Sequence, residues 1–199
     1  MGKIVITSNV TLDGVVQDPD GAEGFARGGW FHQYVGAKDL EDWVARETRE
    51  VLGAEALLLG RRTNEWFADR MTARNVAEGR VSPEWADSVR SLPKYVVSST
   101  LKGPQWSNVT VLGGDVAQEV SELKRKVDGE ILVYGSYQLV RTLIEQHLAD
   151  ELRLVIFPVV LGSGLRIFDE SGDKKPLHLV ETRKLGNGLV FYTYEFVPS

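Results

Sequence analysis

The segment "EILVYGSYQLVRTLIEQHLADELRLVIF", residues 130 to 157, constrains the fold more than any other part of the chain. It opens on a buried strand over 130 to 134 and turns through Gly135 and Ser136. A helix then spans 136 to 148, with Leu139, Val140, Leu143, Ile144 and Leu148 at helical spacing on one face. The next strand, "ELRLVIFPVV", carries Pro158, which marks a strand end or a bulge. A strand, a helix and a second strand in immediate succession favour parallel pairing, because the helix carries the chain back along the sheet.

The same alternation runs through most of the sequence. A strand at 3 to 10 is followed by a loop with glycines at 14, 21, 24, 28 and 29, too many for regular structure. A helix is expected around 38 to 52, with Leu40, Trp43, Val44, Val51 and Leu52 as its inward face and acidic groups in its first turn. "AEALLLG", 54 to 60, is a continuous apolar strand, and "RRTNEWF" starts a short helix. Residues 68 to 93 are the least regular stretch, although Ser82 before Pro83 reads as a helix N-cap. "KYVVSST" and "VTVLGG" are strands, and "DVAQEVSELKRKV" is a helix opened by Asp115 and Gln118 as a capping box. The C-terminal "LHLVETRKL", "GNG", "LVFYTYEFV" is a hairpin, with Asn187-Gly188 expected to supply positive φ. The expected fold is therefore α/β: a central, mostly parallel sheet flanked by helices, ending in an antiparallel hairpin, in one domain over 1–199.

Composition narrows the function. A net charge of -5 and a pI near 5.3 leave no basic excess to neutralise a nucleic-acid backbone. No apolar run approaches the ~20 residues needed to cross a bilayer, and "MGKIVITSNV" lacks the layout of a secretion signal, so a cytoplasmic protein is expected. The absence of cysteine removes disulfides, thiolate nucleophiles and thiolate metal sites. His32, His147 and His178 are scattered, and neither H-E-x-x-H nor G-x-S-x-G occurs, which argues against zinc and serine hydrolases; no metal is expected.

Open α/β sheets bind ligands at the carboxyl ends of their strands. Three such ends carry anion-binding chemistry here. Gly60, Arg61 and Arg62 combine an approachable backbone with cations at a helix start. Ser98, Ser99 and Thr100 offer hydroxyls, and Gly135-Ser136 offers free amides at a strand-to-helix junction. Each alone is matched by an ordinary turn or cap; three together fit a dinucleotide with several phosphate contacts. The acidic cluster Asp39, Glu41, Asp42 fits helix-start electrostatics, while a single carboxylate from it facing a pocket would serve as a proton donor.

With these parts in order, the chain resembles the dihydrofolate reductase-like superfamily. It is most similar to stand-alone relatives of the C-terminal reductase domain of the bacterial bifunctional riboflavin-biosynthesis enzyme. "TLDGVVQDPDG", "LLLGRRTNEWF", "KYVVSST", the run from "ILVYGSYQ" to "PVVLGSGLRIF", and the closing hairpin carry the resemblance. It implies that Gly60, Arg61, Arg62, Thr63, Ser98 and Ser99 hold the adenosine end and 2'-phosphate of NADP(H). Gly135, Ser136, Tyr137 and Gln138 would hold the pyrophosphate, and Leu12, Asp13 and Gly14 would lie over the nicotinamide. Leu161, Gly162 and Gly164 would lie on the substrate side. A carboxylate on the helix after the first loop, Asp39 or Asp42, is the implied catalytic group. The implied activity is an NADP(H)-dependent reductase acting on a small pteridine- or pyrimidine-like heterocycle or imine. The alternatives are a non-catalytic nucleotide-binding or oligomeric scaffold and a flavin-binding variant. The resemblance also implies a homodimer, for which Tyr192, Tyr194 and Phe196 on the hairpin are a candidate surface, the alternative being that these aromatics are simply core.

Overall fold

The computed structural model describes residues 1–79, 81–103, 106–168 and 173–197. In chain order the elements are β1 (Lys3–Thr11), α1 (Trp30–Gln33), α2 (Ala37–Leu52), β2 (Ala54–Gly60), α3 (Arg61–Arg70), α4 (Ala73–Ala77), α5 (Pro83–Ser91) and β3 (Lys94–Val97). They continue as β4 (Val109–Leu112), α6 (Val116–Lys126), β5 (Glu130–Tyr134), α7 (Tyr137–Glu145), β6 (Glu151–Phe157), β7 (Leu177–Leu185) and β8 (Leu189–Phe196).

All eight strands lie in one sheet of order β4-β3-β2-β5-β1-β6-β8-β7. The first six run parallel, and β8 pairs antiparallel with both β6 and β7. β1 is central, with Ile6 opposite both Val133 and Leu152. Successive β1 side chains feed opposite faces, so Ile4 and Ile6 join Val120, Leu123, Val140 and Leu143 of α6 and α7. Val5 joins Val51, Phe67, Met71, Ala86 and Val89 on the other face. Coverage of both faces explains why β2 and β5 are continuously apolar rather than alternating. A fully buried leucine such as Leu143 contributes about 2–3 kcal/mol by this burial. β6 stops at Phe157, where Pro158 follows. No helix of the described residues is long and apolar enough to cross a membrane.

The structure departs from the sequence expectation in three places. The irregular stretch 68 to 93 holds the end of α3, all of α4 and α5, and Trp85 packs at 5.8 Å against Phe67. α2 turns only part of the expected face inward: Val51 is buried and Trp43 packs on a core cluster, but Leu40 and Leu52 are exposed, and Asp39, Arg46, Glu47 and Glu50 are buried as well. The apolar pattern misled because these inward charges are mutually paired, as described below. In the hairpin, the positive φ belongs to Gly186 (58°), not to Asn187 or Gly188. A Cβ on Gly186 would fall 2.2 Å from Asp39 Oδ1, so the start of α2 sits directly on this turn and demands glycine there. Tyr192 and Tyr194 stack on one another at 5.9 Å, and Tyr194 and Phe196 pack on the main core while staying partly exposed.

Candidate active site

β2 and β5 are neighbours, so the helices that leave their carboxyl ends begin side by side. The two junctions are laced together. The Gly60 amide donates to Ser136 Oγ at 2.9 Å, and Ser136 donates to Thr63 Oγ1 from its amide at 3.1 Å and from its hydroxyl at 3.0 Å. Gly135 and Ser136 both adopt left-handed backbone, with φ of 50° and 51°. For a serine this conformation is strained, and the bonds to Gly60 and Thr63 hold it in place. A Cβ on Gly135 would stand 3.3 Å from Thr63 Oγ1. The result brings Gly60, Thr63, Gly135 and Ser136 together at two adjacent helix N-termini, where the amides of Tyr137 and Gln138 in the first turn of α7 have no intrahelical acceptor. Their aligned dipoles favour an anion at this point.

The flanking cations differ. Arg61 pairs with Glu65 at 2.8 Å, while Arg62 is exposed and makes no ion pair among the described residues. At the end of β3, next to β2, Ser98 Oγ accepts from the amides of Thr100 and Leu101, so it shapes its own turn and leaves Ser99 exposed.

On the far side of β1, the first loop and the loop after β6 are joined. The Asp13 carboxylate accepts from Thr11 Oγ1 at 2.6 Å, Gly162 N at 2.8 Å and Leu161 N at 3.1 Å. Desolvation opposes ionisation of Asp13, but these donors outweigh it and hold its pKa down to about 2. Leu12 N donates to Val159 O, Leu165 N donates to Gln17 Oε1, and Arg27 donates to Leu161 O. Gly164 must be glycine, since a Cβ there would lie 2.8 Å from Val15 and 3.0 Å from Phe25. Leu12, Asp13, Gly14, Leu161, Gly162 and Gly164 therefore form one loop assembly, with Asp13 serving as its internal fastener.

Between this assembly and the α3–α7 junction lies a cavity of about 110 Å³. Thr7, Ser8 and Asn9 of β1 form its floor, Val16 and Ile167 close one side, and Tyr134, Gly135 and Tyr137 link it to the junction. Its carboxylate is Glu47 of α2. Neither Asp39 nor Asp42 lines it. Asp39 instead accepts from the amides of Gly36, Asn187 and Gly188, and Asp42 accepts from Gly186 N and pairs with Lys38 at 2.8 Å. These bonds lower both carboxyls' pKa, led by the Gly36 amide for Asp39 and by Lys38 for Asp42. The two aspartates clamp the start of α2 to the hairpin.

Glu47 belongs to a buried charge network. Arg46 donates to Glu47, to Glu50 at 2.7 Å and to Thr7 Oγ1 at 3.0 Å, and its guanidinium lies 4.3 Å from the centre of the Phe191 ring. Glu50 also accepts from Arg153 at 3.1 Å and from the Tyr134 hydroxyl at 3.4 Å. Arg153 reaches Glu130 at 2.6 Å and Glu151 at 2.5 Å, and Lys3 meets Glu151 at 2.5 Å. Burial pushes the Glu47 carboxyl up to about 7, opposed by Arg46 and reinforced by Glu50. A carboxylic acid that titrates near neutrality inside a cavity can deliver a proton to a bound molecule. In sequence these residues read as a solvated charged stripe, Arg46 and Glu47 each standing about one turn before Glu50, with nothing local to mark their burial.

Comparison with known proteins identifies the family. The RibD C-terminal domain model matches residues 2–191, and the chain belongs to that family. That family is reductase-like. Among curated relatives, the uncharacterized protein YyaP of Bacillus subtilis is 34% identical over 108 residues, covering 54% of this chain and 57% of that protein. The uncharacterized protein YwjB of the same organism is 24% identical over 94% of each chain. A Shewanella protein assigned provisionally to riboflavin biosynthesis shares the fold at a TM-score of 0.71 and 18% identity, covering 98% of this chain and 99% of that one. Acinetobacter baumannii RibD shares it at 0.61 and 14% identity; the match spans 99% of this chain and 58% of that one.

Proposed function

We propose that the protein is an NADP(H)-dependent reductase that reduces a small heterocycle or imine of the pteridine or pyrimidine kind. One observation carries the reading: two helix N-termini meet at Gly60 and Gly135, with Arg62 exposed beside them, and Gly135 and Tyr137 also line the cavity that holds Glu47. The residues present fit a phosphorylated dinucleotide. Gly135 leaves room where a Cβ would press on Thr63, and the first-turn amides of α7 are available for a pyrophosphate. The Ser136 amide is already bound to Thr63, so Tyr137 and Gln138 take that role. Arg62 and Ser99 are the groups for a 2'-phosphate, which favours NADP(H) over NAD(H).

NADPH, when bound, supplies the hydride. The chain's own residues do the rest. Asp13 keeps the loop bearing Leu161 and Gly162 against the mouth of the site, and Val16 and Ile167 help to exclude water. Glu47 holds the proton that a reduced ring nitrogen requires.

The test is a fluorescence titration with NADPH and NADH. The reading expects saturable NADPH binding that is preferred over NADH, and about a tenfold loss of that preference in Arg62→Ala, equivalent to one charge-assisted contact. No NADPH binding at near-millimolar concentration overturns it.

A further inference from the structure

Glu47 sits at the inner end of a row of charges that crosses the protein. Among the described residues the row holds five carboxylates, Glu47, Glu50, Glu130, Glu151 and Glu195, against three cations, Arg46, Arg153 and Lys3. The carboxylates are not equally served. Glu50 receives Arg46, Arg153 and the Tyr134 hydroxyl, and Glu130 takes two donations from Arg153 at a partly exposed position. Glu151 lies between Arg153 and Lys3. Glu47 has one nitrogen of a guanidinium whose other nitrogen is given to Glu50 and Thr7, and it shares the Tyr134 hydroxyl with Glu50. In a dry interior an uncompensated carboxylate is costly, and the row relieves part of the excess by leaving one proton on its least-served member.

We propose that Glu50, fixed by Arg153, is a positioning residue that keeps Glu47 in its protonated form and so sets the pH range over which the cavity can release a proton. Every charged or titratable neighbour from the packed elements takes part. α2 contributes Arg46 and Glu50, β5 contributes Tyr134 and Glu130, β6 contributes Arg153 and Glu151, and at the outer end β1 contributes Lys3 and β8 contributes Glu195. The remaining contacts are neutral: Thr7 from β1 and the Phe191 ring from β8. Glu50 competes with Glu47 for Arg46 and adds a like charge beside it, and both effects favour the neutral acid at Glu47. Burial is the largest upward influence on Glu47, Arg46 opposes it, and Glu50 adds to it. The arrangement also explains the two glutamates on one helical face: one faces the cavity, and the other never touches it.

The inference takes its meaning from the proposed reductase but is read in the ligand-free protein, so failure of cofactor binding leaves it intact and its own failure leaves cofactor binding intact. The experiment follows side-chain carboxyl resonances of carbon-13 glutamate-labelled protein against pH, with Glu47 assigned by its loss in Glu47→Gln. In the wild type, Glu47 is expected to remain protonated at pH 6. In Glu50→Gln its midpoint is expected to fall by about one pH unit or more, because a like charge is removed and Arg46 is freed. Glu50→Asp, which keeps the charge, is expected to restore the wild-type midpoint. A purely structural Glu50 would change the melting temperature and leave the midpoint in place, and that result overturns the proposal. If Glu50→Gln does not fold, the wild type decides on its own: a Glu47 carboxylate already ionised at pH 6 overturns the proposal, and a protonated one that ionises near pH 7 supports it.

Discussion

Replacing Asp39 by alanine separates the two roles that an acidic residue at the start of α2 can have. In the structure Asp39 is 5% exposed and accepts three backbone amides: Gly36 at 2.8 Å, Asn187, and Gly188 at 2.9 Å. Hydrogen bonds to a charged acceptor contribute about 1.5–3 kcal/mol each, and the amides left behind are only partly able to find water. Non-additivity within one cluster reduces the sum, so Asp39→Ala should cost about 3–4 kcal/mol. For a chain of this length each kcal/mol moves the melting point by about 2–4 °C, so a fall of roughly 6–16 °C is expected by differential scanning calorimetry at pH 7. The stabilisation has a definite pH sign. The folded-state pKa of Asp39 is lowered, so its contribution is complete above the unfolded value near 3.8 and disappears as pH falls through the folded value. The melting-point difference between wild type and Asp39→Ala should therefore shrink towards acid pH. NADPH affinity and turnover, measured well below the melting point, should stay within about twofold of wild type, since the cavity excludes Asp39. An Asp39→Ala protein with an unchanged melting point and a large loss of turnover would refute this reasoning and return Asp39 to the active site.

Three further outcomes follow from the same geometry. Glu47→Gln should lower turnover by about 10²-fold or more while leaving NADPH affinity near wild type, and should abolish the activity limb near pH 7, read from pH–rate profiles. Gly186→Ala places a methyl group within 2.2 Å of Asp39 Oδ1 at a φ of 58°, so it should destabilise the protein by more than about 3 kcal/mol in urea unfolding. Lys94 is fully buried, and its ammonium donates to the carbonyls of Arg90, Leu92 and Ser107. Desolvation lowers its pKa to about 8, so the unfolded chain binds more protons between pH 8 and 10.5. Stability should rise across that window by up to about 3 kcal/mol, and this rise should be missing in Lys94→Met.

Much of the architecture was legible because its signals are local. The strand, turn and helix of residues 130 to 148, the apolar run at 54 to 60 and the C-terminal hairpin each announce themselves within a short window, and parallel order follows from their alternation. The junction of Gly60 with Gly135 was also within reach, since both follow neighbouring buried strands. The inward face of α2 was not. Arg46, Glu47 and Glu50 look like a solvated stripe in sequence, and only Arg153, Glu130 and Tyr134, about a hundred residues away, make their burial tolerable. For the same reason the acidic cluster at 39 to 42 drew attention from Glu47: the partners of Asp39 are hairpin amides some 150 positions further on. Charge pairs closed over such separations leave no periodic trace.

The central claim is that a phosphorylated dinucleotide binds where α3 and α7 begin. Amide chemical shifts of nitrogen-15 protein titrated with NADPH test it most directly. The account predicts the largest shifts at Gly60, Arg62, Gly135, Tyr137 and Gln138, with smaller ones at Asn9 and Ile167 in the cavity. Shifts confined to other surfaces, such as the β7–β8 hairpin, or no shifts at near-millimolar NADPH, would contradict it.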